Sequence, residues 1–170
     1  MPVEHDQIRS KIVGTLGPVH CVLDVGCGNC DLVRFMASTL ADEAIGIDVK
    51  SGFVHEHVKS ERDGTARTAR CEQMDAQSMA GFRDARFDAV VCVHALHEIA
   101  DPTSALDEIR RVVKPGGTLL IADFTKGEKR WPERYYTPAE VRKMLTEAGF
   151  EQVRVRKVRG EHFMFATATK

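Results

Sequence analysis

The segment VLDVGCGNCDL, residues 22–32, decides the fold. An apolar run through Val25 breaks into glycine at Gly26 and Gly28, and an apolar rhythm resumes at Leu32. A strand ending at Val25 and a helix beginning near Cys30 or Asp31 leave Gly26, Cys27, Gly28 and Asn29 in the turn between them. Backbone without a Cβ approaches a ligand closely there, and the first N–H groups of the following helix face the same crevice. In an open α/β sheet this is the edge where ligands bind, outside the carboxyl ends of the strands.

The same grammar repeats along the chain. Strand-sized apolar runs fall at 21–25, 43–49, 69–74, 87–93 and 117–124, most of them near-continuous, as in strands buried on both faces of a parallel sheet. Helical stripes lie between them: Ile8, Ile12, Val13 and Leu16, then Leu32, Phe35, Met36 and Leu40. Asp101 reads as an N-cap with Pro102 at the first helical position, and that helix must stop before Pro115. Thr137 and Glu140 form a capping box, opening a helix that ends at Gly149. The segment from Ser51 reads as a further helix, with Asp48 as an alternative N-cap and His55, Glu56 and His57 on a solvated face. Residues 150–160 alternate apolar and basic, and a short turn at Gly160 leads into EHFMFATAT, residues 161–169. Two strands so close in sequence predict an antiparallel hairpin at one side of the sheet, with Arg154, Arg156 and Arg159 as edge charges.

Composition narrows the function. Lys plus Arg number 24 against 25 Asp plus Glu, which leaves no electrostatic footprint for nucleic acid or an anionic membrane. The five cysteines are an odd count scattered over 170 residues, which predicts reduced thiols in a cytoplasmic protein and no disulfide framework. No apolar run approaches the ~20 residues of a membrane-spanning helix, and the polar start MPVEHDQIRS is not a targeting segment. The chain reads as one soluble domain over residues 1–170.

The acids that follow the strands specify the ligand. A dinucleotide fingerprint asks for glycine at position 31, where Asp31 would repel a pyrophosphate. Asp48 ends the second run about 20 residues after Gly28, the spacing at which a carboxylate reaches ribose hydroxyls. Asp75 follows the third run, where it can accept from an adenine amine while the Ala76 N–H meets a ring nitrogen. A nucleoside without phosphate suits these residues. Cys27 and Cys30 raise a redox or zinc alternative, and Cys92, His94 and His97 a second metal alternative. Neither is preferred, because zinc needs further ligands and a redox pair lacks its usual proline-bearing spacer, so no metal is expected.

Taken together, VLDVGCGNCDL, IGIDVK, CEQMDAQSM, FDAVVCVHALHEIADP and RVVKPGGTLLIADF resemble, in order and spacing, the motifs of the class I S-adenosylmethionine-dependent methyltransferases. The branch they are most similar to holds the ubiquinone and menaquinone biosynthesis enzymes. The resemblance implies an α/β fold: a three-layer Rossmann-like sheet of seven strands, mostly parallel, with an antiparallel C-terminal hairpin. It implies S-adenosylmethionine as cofactor and a small-molecule acceptor. Gly26, Cys27 and Gly28 would lie beside the methionine portion and ribose, with Asp24 supporting the turn. Asp48 would hold both ribose hydroxyls, Asp75 and Ala76 the adenine, and the backbone around Val93 and His94 the methionyl group, with Val49 and Met74 also at the cofactor site. One departure is Cys30, where the family's turn usually carries a third glycine.

Methyl transfer from a sulfonium needs a general base only for a protonated acceptor of high pKa, and His97, Asp123 and Tyr136 are the candidates, in that order. Trp131, Tyr135 and Tyr136 form the single aromatic cluster, read as an acceptor lid or a packing patch. A non-catalytic subunit that binds the cofactor and activates or scaffolds a partner is the alternative function. A nicotinamide oxidoreductase is a third, disfavoured by Asp31 and the terminal hairpin.

Overall fold

The apolar runs do build one sheet, and its order is read from a computed structural model that describes residues 2–50, 52–126, 135–159 and 162–170. In chain order the elements are α1 (Pro2–Leu16), β1 (Val19–Val25), α2 (Asp31–Thr39), β2 (Ala41–Asp48), β3 (Val54–Lys59), β4 (Ala66–Gln73), β5 (Phe87–Val93), a short 3-10 helix (Leu96–Glu98), α3 (Pro102–Val112), β6 (Val113–Phe124), α4 (Pro138–Glu147), β7 (Glu151–Lys157) and β8 (Phe163–Thr169). The eight strands lie in the order β3-β4-β2-β1-β5-β6-β8-β7. From β4 through β6 the neighbours run parallel, whereas β3 against β4 and β8 against both β6 and β7 are antiparallel.

Alternation along the strands puts a hydrophobic layer on each face. Leu23, Val25, Ile45, Ile47, Val90 and Ile121 pack under α3 and α4 with Leu106, Ile109, Val141 and Leu145. Val22, Ala44, Val91, Leu120 and Ala122 face α1 and α2 with Ile8, Ile12, Val33 and Met36. Three layers result, as expected. Of the first helical stripe, Ile8 and Ile12 are buried while Val13 is 40 % exposed.

Among the described residues the strand count is eight rather than seven. The additional strand is β3, where a helix was expected after Ser51. Its burial alternates residue by residue, with Val54, Glu56 and Val58 half-buried and His55, His57 and Lys59 exposed. A two-residue period is that of a strand, and β4 pairs with it after a tight turn in which Ser60 N–H donates to the Thr65 carbonyl. His55 and His57 therefore project from an edge strand, not a helix. Each edge of the sheet thus ends in an antiparallel hairpin, and at the other edge Arg154 and Arg156 are exposed on β7.

The caps form as the residues predict. The Asp101 side chain accepts from the N–H groups of Thr103 and Ser104, and Thr137 with Glu140 closes a complete capping box. The helix α3 stops before Pro115 as expected, and β6 begins directly after it at Val113, with a register shift against β5. Among the described residues no helix is long and apolar enough to cross a membrane.

Candidate functional site

The chain order reverses around β1: β2 and β4 are added on one side, then β5 and β6 on the other. A crevice opens at such a switch point, outside the carboxyl ends of the strands. Here it is a cleft of about 860 Å³ lined by Val25, Gly26, Gly28 and Asn29 from β1 and its turn, Asp48 to Lys50 after β2, Met74 to Gln77 after β4, and Val93 to Ala95 after β5. Glu98, Ile99 and Ala100 close one side.

Close packing explains the first glycine. Gly26 has φ +80°, and a Cβ built there would collide with the Cβ of Ala95 across the cleft wall. Its N–H and that of Cys27 both donate to the Ile47 carbonyl, which pins the turn to β2. At the other end of the turn Cys30 is the N-cap of α2 with φ 68°, the left-handed region that glycine enters without steric cost. That is the physical content of the family's third glycine, and here a cysteine takes the same conformation.

Of the residues expected to hold a cofactor, Gly26, Gly28, Asp48, Val49, Met74, Asp75, Ala76, Val93 and His94 all line the cleft. Asp48 accepts from the Gly28 N–H at 3.1 Å and the Lys50 N–H at 2.8 Å, one bond to each oxygen, so it shapes the turn while facing the cleft. It does not cap a helix. Asp75 accepts from the Gln77 N–H at 2.9 Å and from the Gln77 side-chain amide. Gln77 in turn accepts from the Asp101 N–H at 2.8 Å, tying the wall to the start of α3. His94, at φ 52°, stacks on Phe124 with ring centroids 4.5 Å apart.

Asp24 and Cys27 are not in the lining; both are buried behind it. Burial, with Asp48 nearby, pushes the Asp24 carboxyl up to about 7, and its Oδ1 has no hydrogen-bond partner among the described residues. Lys50, Gln77, Ala95 and Ile99 are wall residues that sequence reasoning missed. For Lys50 and Gln77 the signal was adjacency to Asp48 and Asp75; the others depend on how the loop after β5 folds back.

The three candidate bases stand apart from the cleft lining. His97 and Asp123 are buried and paired, Nδ1 to Oδ1 at 2.7 Å, and the His97 backbone N–H donates to the other Asp123 oxygen at 3.1 Å. Tyr135 packs its ring 4.8 Å from the His97 ring centroid. The Tyr136 hydroxyl is buried without a hydrogen-bond partner among the described residues. Trp131, the remaining member of the aromatic cluster, lies outside the described residues. Cys92, His94 and His97 do not converge: Cys92 is in the core, His94 stacks on Phe124 and His97 bonds Asp123.

A family model described as a methyltransferase domain matches residues 23–121, more than half of the chain, from within β1 to within β6 and including every residue that lines this cleft. The chain belongs to the methyltransferase-domain family. It is 32 % identical over 159 residues to the 2-methyl-6-phytyl-1,4-hydroquinone methyltransferase of Synechocystis, an alignment covering 86 % of this chain and 49 % of that protein. It is 31 % identical over 112 residues to the ubiquinone biosynthesis O-methyltransferase of Methylococcus capsulatus, covering 64 % of this chain and 45 % of the relative. The chain thus spans about half the length of these two methyltransferases. Among solved structures the [4+2]-cyclase SpnF superposes with a TM-score of 0.75 at 21 % identity, over 97 % of this chain and 80 % of that one. That likeness is one of fold: a methyltransferase-type sheet hosts a cyclase there, so chemistry must be argued from the site.

Proposed function

We propose that this chain transfers a methyl group from S-adenosylmethionine to a small-molecule acceptor. The observation that carries the reading is the convergence on one cleft of the Gly26–Gly28 turn, Asp48 and Asp75, each from the end of a different parallel strand. The residues fit the cofactor. Gly26 keeps its Cβ out of the cleft, and Asp48, with one backbone bond to each oxygen, has lone pairs left for a ribose diol. Asp75 offers the same capacity one strand further along. The lining charges are Asp48, Asp75 and Glu98 against Lys50, a balance that attracts a sulfonium cation and repels pyrophosphate.

S-adenosylmethionine, when bound, supplies an electrophilic methyl on a positively charged sulfur. The protein's part is orientation, since in-line displacement rewards holding nucleophile and methyl collinear, and effective molarities from such positioning are large. Val93, His94 and Ala95 form one side of that cleft. His97 and Asp123 act as positioning residues: their pair ties the turn bearing Ala95 and Glu98 to the end of β6, and so fixes the wall opposite Gly26.

Isothermal titration with S-adenosylhomocysteine tests the cofactor assignment. Wild type should bind, and Asp48→Ala should weaken binding by about tenfold or more, the loss of charge-assisted bonds to a diol. No measurable affinity in the wild type overturns the reading. A radiolabelled-methyl screen over hydroxylated aromatic acceptors, the class named for the hydroquinone relative, then separates an enzyme from a subunit that binds the cofactor without transferring its methyl.

A further inference from the structure

Three cysteines meet at the glycine turn, in the hydrophobic layer that faces α1 and α2. Cys27 lies in the turn after β1, Cys30 is the N-cap of α2, and Cys71 is in the middle of β4; they are 6 %, 2 % and 0 % exposed. Their sulfurs all lie within 4.8 Å of one another. Cys30 and Cys71 are joined as a disulfide with a Cα–Cα separation of 6.3 Å, which corrects the expectation of reduced thiols throughout. Forty-one residues separate the pair, so only the fold brings them together.

Space for the Cys27 sulfur is made by an absent side chain. In the register of the sheet Gly46 on β2 sits between Asp24 on β1 and Cys71 on β4. A Cβ on Gly46 would lie 2.5 Å from the Cys27 Cβ, 2.7 Å from its Sγ and 2.7 Å from a methyl of Val33.

We infer that the reduced form of Cys27, Cys30 and Cys71 is a binding site for one soft, thiophilic ion held by three sulfurs. The donor set is all sulfur, which selects soft ions over those that prefer oxygen or imidazole. Three ligands favour an ion content with low coordination number. Charge sharpens the choice: three buried thiolates are neutralised fully by a trivalent metalloid, whereas zinc leaves one negative charge and a cuprous ion two, and buried net charge is costly. Trivalent arsenic meets all three conditions. A dithiol reductant first gives two electrons and two protons to the Cys30–Cys71 disulfide and leaves as its own disulfide. Three S–H groups then react with As(OH)3 to form three As–S bonds, and three waters leave.

The test uses the full chain, reduced with a phosphine that is then removed without air, and arsenite as probe. One arsenic should bind per chain, and X-ray absorption at the arsenic edge should count three sulfur neighbours and no oxygen. Cys27→Ser, which leaves the disulfide partners intact and so can be checked for folding in its oxidised state, should bind more than about 100-fold more weakly. Cys92→Ser, altering a cysteine elsewhere in the core, should bind like wild type, and oxidised wild type should not bind. Absence of binding, a two-sulfur site, or a Cys27→Ser protein that binds as tightly as wild type overturns the proposal. So does a preference for zinc over arsenite, since zinc would need a fourth ligand. None of these outcomes depends on whether S-adenosylhomocysteine binds in the cleft.

Discussion

The Nδ1 atom of His97 lies 2.7 Å from Oδ1 of Asp123, 26 residues away, and their side chains are 5 % and 2 % exposed. Removing one member of a buried pair strands the other without water. Asp123→Ala should therefore lose about 3–5 kcal/mol in urea unfolding. Glu98→Gln, one position from His97 but with a side chain 64 % exposed, should change stability by less than about 0.5 kcal/mol. Equal losses from the two would show that the buried pair is not a structural tie.

Asp24 gives the protein an inverted acid response. Its folded pKa, raised to about 7 by burial and then by Asp48, exceeds the ordinary value of 3.8, so the folded state binds the proton more tightly than the unfolded one. Its contribution is most favourable below pH 4 and is lost as pH rises through 7. Asp24→Asn removes that titration. Urea midpoints at pH 5 and pH 8 should show the variant gaining on wild type at the higher pH; parallel pH profiles would rule this out.

Two glycines of the turn should respond unequally to alanine. Gly26→Ala combines φ +80° with a collision against Ala95 and should cost about 2–3 kcal/mol or more, with a matching loss of S-adenosylhomocysteine affinity. Gly28→Ala meets nothing within 4 Å and carries only the strain of φ +49°, about 1 kcal/mol. Thermal melts of the pair check this, and the ranking matters more than either value.

Arg111 near the end of α3 clamps the loop between β4 and β5. It donates to the Phe82 and Met79 carbonyls at 2.8 and 2.9 Å and to Asp84 and Glu108 at 2.8 and 2.7 Å. Lysine cannot reproduce that fork, so Arg111→Lys should cost about 1–2 kcal/mol at neutral pH. The Arg111 hydrogen bond holds the Glu108 carboxyl below its usual range. Because a lowered folded pKa stabilises above the unfolded value and is lost as pH falls through the folded one, the gap between variant and wild type should narrow in acid. Denaturant titrations at pH 7 and pH 3 measure it.

Much of the site was legible because its signals are local. A strand, two glycines, and a carboxylate at the carboxyl end of β2 and of β4 are encoded within a few residues of where they act, and Gly26, Asp48 and Asp75 do line one cleft. The misread element was β3, whose alternating Val54, Glu56 and Val58 carry too little apolar signal to outweigh a helical reading; its partner β4 decides it. The buried placement of His97 was equally hidden, since it follows from Asp123 at the end of another strand.

By itself the sequence determined the alternation of strands and helices, the caps at Asp101 and Thr137, the opened turn at Gly26 and the family these belong to, since each depends on neighbours within one or two turns of chain. The tertiary structure alone decided which residues face one another across the sheet: Cys30 with Cys71, Cys27 over Gly46, His97 with Asp123, and Glu98 over the cleft. Parallel strands take their register from packing on both faces rather than from the loops that join them, so contacts spanning them are written in no single stretch of the chain.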